Sequence, residues 1–203
     1  MAGPSSLLGE KMVSLTELRK MQVVSSDGKL IGTVEDACLT NKWAITGYTI
    51  KMDKAVAKSL GKPTPVFGSP RLEIAIDQIK SIGDKLVLAK PVNELGEHFT
   101  KHEGVYHISK FVKMQVVGTG GKVLGLVKDI NIDRYSWKTP SLQITVSREV
   151  MDHLKIKKPM FGKGGLTLSM THVENIKDYV MLNTDHEGLA RLLESSPIKG
   201  HTD

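Results

Sequence analysis

The sequence predicts a mainly β protein: two small β-barrels in tandem, each with a short helix, packed as a pseudo-dimer. Three observations predict it. Residues 20–36, KMQVVSSDGKLIGTVED, return 93 positions on as residues 113–129, KMQVVGTGGKVLGLVKD, and past the next loop the offset becomes 94, carrying Leu72 to Leu166 and Leu88 to Leu182. Within the repeated stretch Leu30, Gly32, Val34 and Asp36 alternate with Ile31, Thr33, Glu35 and Ala37, the period of a strand. Gly32 and Gly125, inside those strand patterns, suit a bulge or close backbone approach where a small sheet bends sharply enough to close on itself.

Each element follows in order. Residues 1–12 are small and polar apart from Leu7 and Leu8, and 1–13 read as a flexible leader. Ser14 and Glu17 have capping-box spacing and predict one turn of helix before the first strand, 21–24. Asp27-Gly28 and Gly120-Gly121 are hairpin turns. A third strand is predicted over 43–51 and 141–147, rich in Ile, Thr and Val. Asp53 caps a helix over 54–60 that places Met52, Ala55, Val56, Ser59 and Leu60 on one side, and Ser147 caps its counterpart over 148–154. Pro63, Pro65 and Pro70, or Pro159 and the glycines after it, open a loop. Fourth strands at 72–76 and 166–170 and closing hairpins at 79–88 and 173–182 complete each copy. The predicted organisation is therefore leader 1–13, first copy 14–90, linker 91–105, second copy 106–183, and a short helix with a frayed tail over 184–203.

Composition narrows the function. Of 203 residues 40% are hydrophobic, enough for two small cores rather than one large one. The single cysteine, Cys38, excludes an internal disulfide framework and suits a reducing compartment. No apolar run reaches the ~18 residues a membrane span needs, so the expected location is the cytoplasm, with recruitment to a membrane or division site by a partner left open. The net charge of +6 is mild and permits an acidic partner such as RNA, anionic lipid or an acidic protein.

The chemistry-bearing residues form no catalytic set, and neither an enzyme nor a cofactor or resident metal is expected. His98 and His102 have i, i+4 spacing but lie in the linker, without further ligands or the HExxH order. Cys38 has Asn131 as its counterpart and no histidine close in sequence, which reads as a buried strand thiol. Asp36 and Asp129, at matching strand positions, read as structural carboxylates that bond backbone groups. Charge placement is more telling. Lys54, Lys58, Lys62 and Arg71 in one copy, and Lys155, Lys157, Lys158 and Lys163 in the other, lie in stretches without an acid, each holding one Phe, Phe67 or Phe161. These two basic loops are the candidate partner-binding elements. The phenylalanines read as plugs of the core beneath them, with base stacking as the other option.

The pattern carried by Val23, Asp27, Gly28, Lys29, Gly32, Val34 and Asp36, and again by Val116, Gly120, Gly121, Lys122, Gly125, Val127 and Asp129, resembles the PRC-barrel family. That family takes in the cytoplasmic domain of the photosynthetic reaction-centre H subunit and is similar to the C-terminal domain of RimM. One departure is that Arg19 and Val112 occupy positions where family members often have glycine. The resemblance implies two PRC-type barrels of an archaeal type that bind other proteins and catalyse nothing. It also implies an adaptor role in FtsZ-based cell division alongside the membrane-tethered protein SepF. The alternative, by similarity to RimM, is a ribosome- or RNA-associated factor that binds a ribosomal protein or ribosomal RNA. Homo-oligomers through barrel edges stay open.

Overall fold

The computed structural model describes residues 11–97, 106–146, 148–153, 165–185, 187–189 and 191. In the first copy, β1 (Met12–Ser14) leads into α1 (Leu15–Leu18), then β2 (Gln22–Val24), β3 (Leu30–Leu39), β4 (Ile45–Met52), α2 (Lys54–Ser59), β5 (Arg71–Ala75), β6 (Ile79–Ile82) and β7 (Lys85–Leu88). The second copy runs β8 (Tyr106–His107), β9 (Gln115–Val117), β10 (Val123–Asp133), β11 (Lys138–Val146), α3 (Arg148–His153), β12 (Gly165–Ser169), β13 (Val173–Ile176) and β14 (Val180–Leu182). The first sheet is ordered β5-β4-β3-β2-β7-β6 and the second β12-β11-β10-β9-β14-β13, the same order strand for strand. In each, the strand after the lead-in pairs in parallel with the last one, β2 with β7 and β9 with β14, while its hairpin neighbour is antiparallel. The chain is mainly β, with two seven-stranded sheets forming small barrel-like domains.

The hairpin chemistry explains the bend. Gly28 and Gly121 sit at φ +79° and +74°, in the left-handed region that the turn demands and that L side chains avoid. Beyond the turn, a Cβ on Gly32 would collide with the carbonyl oxygen of Lys51, and one on Gly125 with that of Thr145. Both glycines are therefore places where two strand backbones approach more closely than a side chain allows. The register slips beside each: Val23 pairs with Gly32 but Val24 with Leu30, and Val117 pairs with Val123 but Val116 with Gly125. A further slip, in which Val34 pairs with Ile50 but Asp36 with Thr49, leaves Glu35 as the extra residue of a bulge.

The inward faces carry matching residues. Val23, Ile31, Val34, Ile50, Ile74, Leu86 and Leu88 are buried in the first copy, and Val116, Leu124, Val127, Ile144, Leu168, Val180 and Leu182 in the second. α1 has the predicted capping box: Ser14 Oγ accepts from the Glu17 N–H at 3.2 Å and the Ser14 N–H donates to Glu17 Oε2 at 2.9 Å. α2 is capped by Asp53, whose Oδ1 accepts from the Ala55 N–H at 2.8 Å. The helix buries Ala57, not the predicted Ala55 and Ser59, which are exposed. At six residues it turns too few times to present a full stripe. The predicted cap Ser147 lies outside the described residues.

Two compact units emerge, interleaved along the chain. One comprises Met1–Lys110 with Asn131–Thr139, the other Phe111–Ile130 with Pro140–Asp203. Two lead-in strands belong to the first unit. β8 pairs antiparallel with the end of β3, Cys38 opposite His107. β1 pairs antiparallel with the last residues of β10, Ser14 opposite Asn131. In sequence β1 opens the first copy yet pairs with a strand of the second, and β8 opens the second yet pairs with a strand of the first. The same unit holds the paired hairpin tips, in which the Ile45 N–H donates to the Trp137 carbonyl and the Thr139 N–H to the Trp43 carbonyl. Trp43 and Trp137, 94 positions apart, both adopt positive φ, at 63° and 55°.

Candidate functional site

The first basic loop follows α2. Lys54 and Lys58 are exposed on the helix, Lys62 is half-buried just after it, and Arg71 opens β5. Arg71 does not face solvent as a free cation: its Nε donates to Glu35 Oε2 at 2.5 Å, a carboxylate delivered by the β3 bulge. The Lys54 ammonium donates to the Val66 carbonyl at 3.3 Å, so it braces the loop from the helix side. The tip corrects an expectation. Phe67 is no core plug: it is 90% exposed, beside Val66 at 84%. Pro63, Pro65 and Pro70 fix φ at three points of the segment, and Ala57 and Met52, before it in sequence, are buried instead. Lys155, Lys157, Lys158, Lys163 and Phe161 of the second loop lie outside the described residues, as do His98 and His102.

A second group of polar side chains gathers where β8 joins β3. Asp36, 6% exposed, accepts from the N–H groups of Ala37 at 2.9 Å and Ser109 at 3.1 Å through Oδ1, and from the Ser109 hydroxyl through Oδ2. Its counterpart Asp129 accepts from the Ile130 N–H at 2.8 Å and is equally buried. Both carboxylates thus bond backbone at the same point of the strand.

Beside Asp36, Cys38 of β3, Glu73 of β5 and His107 of β8 converge. Cys38 Sγ lies 3.7 Å from His107 Nδ1 and 3.8 Å from Thr49 Oγ1. His107 Nε2 lies 3.7 Å from Glu73 Oε1, and Nδ1 lies 3.9 Å from Asp36 Oδ2. Burial pushes the Cys38 thiol up to about 11; the Thr49 hydrogen bond opposes this, and the Glu73 and Asp36 charges add to the rise. A thiol protonated at neutral pH is a poor nucleophile. Spacing along the chain hid the group, because its members are 34 to 69 residues apart and meet only through strand pairing.

Among the described residues no helix is long and apolar enough to cross a membrane. No curated protein matches the chain. Residues 10–95 match the family model of the PRC-barrel domain, and with the glycine-anchored hairpin and closing strand pair described above, the first copy is a PRC-barrel domain.

Proposed function

We propose that the chain is a non-enzymatic adaptor, built from two PRC-barrels, that binds partner proteins through its loops. The single observation that carries this is the Val66-Phe67 tip. Two large apolar side chains, 84% and 90% exposed, project from a proline-stiffened loop flanked by Lys54, Lys58 and Lys62. Leaving such side chains in water forgoes about 1.5–3 kcal/mol each relative to burial, and anchors of this kind ringed by charge are what a protein partner buries. The second copy supplies the equivalent Met160-Phe161 with Lys157 and Lys158. Binding through both of these sequences makes the proposed adaptor bivalent. Following the resemblance, the partner is placed in an archaeal division apparatus of the FtsZ and SepF type. An acidic partner surface bearing an apolar pocket fits the loop's charge.

A Val66→Ala/Phe67→Ala double variant tests this. It is expected to lose partner binding at least ~10-fold with an unchanged melting temperature, since neither side chain packs in the core. Unchanged binding would remove the loop from the interface. The same exposed Phe67 favours a second reading, a ribosome- or RNA-associated factor in which the ring stacks on a base and the lysines contact phosphates. That reading requires binding that weakens steeply with salt and disappears on charge reversal at Lys155, Lys157 and Lys158.

A further inference from the structure

The Cys38, Glu73 and His107 group is not explained by the barrel fold. The comparison between the two copies isolates it. Both copies use the same strand order and the same pairing of a lead-in strand with the end of the long strand. They also keep the buried carboxylate, Asp36 or Asp129, and a hydroxyl at the position 73 residues beyond it or its equivalent, Ser109 or Thr16. Yet where the first sheet brings together Cys38, Glu73 and His107, the matching positions of the second sheet are Asn131, Thr167 and Ser14. Three residues from three strands differ together: one amide and two hydroxyls, all neutral, stand where the first barrel has a thiol, a carboxylate and an imidazole.

One ligand atom from each of the three lies within 4.8 Å of the other two. Tetrahedral zinc, with bonds of about 2.0–2.3 Å, sets its ligands about 3.3–3.6 Å apart. The Sγ to Nδ1 separation of 3.7 Å is already close to that, and Glu73 sits at the end of a side chain with three rotatable bonds. We infer that Cys38, Glu73 and His107 form a binding site for one divalent cation of the zinc class. The chemistry selects that class. A thiolate with an imidazole disfavours calcium and magnesium, which take oxygen ligands, and a thiolate plus a carboxylate balance a charge of +2. The imidazole presents one nitrogen toward Cys38 and the other toward Glu73, and a single cation takes one of them. With three protein ligands the fourth position is left to water, reached from the His107 side, which is 32% exposed. The cation would displace the thiol proton on binding. Its structural effect is local: it would tie β8 to β3 and β5.

The test uses the full chain without an affinity tag, stripped with a chelator and titrated with cobalt(II) and then zinc. One equivalent of cobalt should give the absorption of thiolate-to-metal charge transfer together with the intense visible bands of a tetrahedral site, both bleached by one equivalent of zinc. Cys38→Ser should abolish the charge-transfer band, and the triple variant Cys38→Asn/Glu73→Thr/His107→Ser, which copies the second repeat and so keeps residues this fold already carries, should weaken zinc binding at least ~10-fold. Zinc should raise the melting temperature of the wild type but not that of the triple variant. Cobalt binding without a charge-transfer band, a band that survives Cys38→Ser, or equal stabilisation of wild type and triple variant by zinc would each overturn the site.

Discussion

Asp133 shows how much a single side chain contributes to the first unit. Only 7% exposed, it would have its pKa raised by burial, but the N–H groups of Ser136 and Tyr135 and the Lys11 ammonium at 3.0 Å outweigh this and hold it down at about 2. A folded-state pKa below the unfolded value of roughly 3.9 stabilises the fold above that pH, and the contribution is lost as pH falls from ~4 through ~2. Asp133→Asn should therefore cost on the order of 2 kcal/mol at pH 7, with the difference from wild type closing toward pH 2 in urea melts. Gly32 makes a sharper demand. Gly32→Ala drives a methyl into the Lys51 carbonyl and should cost ~3 kcal/mol or more, whereas Gly83→Ala, with nothing within 4 Å of its Cβ, should be neutral within ~0.5 kcal/mol in thermal melts. The need for glycine at positions 32 and 125 was legible in the sequence, because glycine inside an alternating strand has few other reasons to be there. The exposure of Phe67 was not. A lone aromatic in a basic loop fits a core plug as well as a solvent-facing tip, and only the backbone path through Pro63, Pro65 and Pro70 decides between them.

At the scale of the element, the lead-in segments carry more than their length suggests. α1 has four residues and would not form alone, but the reciprocal bonds between Ser14 and Glu17 close its first turn while Leu15 and Leu18 are fully buried. Ser14→Ala removes the hydroxyl that accepts the Glu17 N–H and leaves the backbone N–H that donates to the Glu17 carboxylate. It should lower stability by about 1 kcal/mol, read as a shift in the denaturant midpoint at constant slope. The capping box was readable because its signal spans only three residues. The pairing of β1 with β10 and of β8 with β3 was not, since each two- or three-residue strand lacks enough alternation to announce itself and its partner lies in the other copy. That pairing is why the Cys38 and His107 juxtaposition stayed hidden. Residue spacing detects sites built on one helix or one hairpin, and this one is assembled from β3, β5 and β8.

For the whole molecule, the duplication set the architecture. An internal repeat at 93–94 residues implies two sheets of one topology, and both sheets have that topology down to the parallel closing pair. Function was less legible, because the proposed binding role rests on surface, and lysines on a surface are commonplace. The exposed Val66-Phe67 tip gives the interaction reading a place on the molecule, with Lys54 tied to the loop backbone and Arg71 committed to Glu35. The most direct measurement is affinity capture of the full chain from its own cells, with and without nuclease, with wild type beside Val66→Asp/Phe67→Asp. The account predicts a protein partner that survives nuclease and is lost with the variant. A captured set that vanishes with nuclease, or a nuclease-resistant partner held equally by both chains, would contradict it.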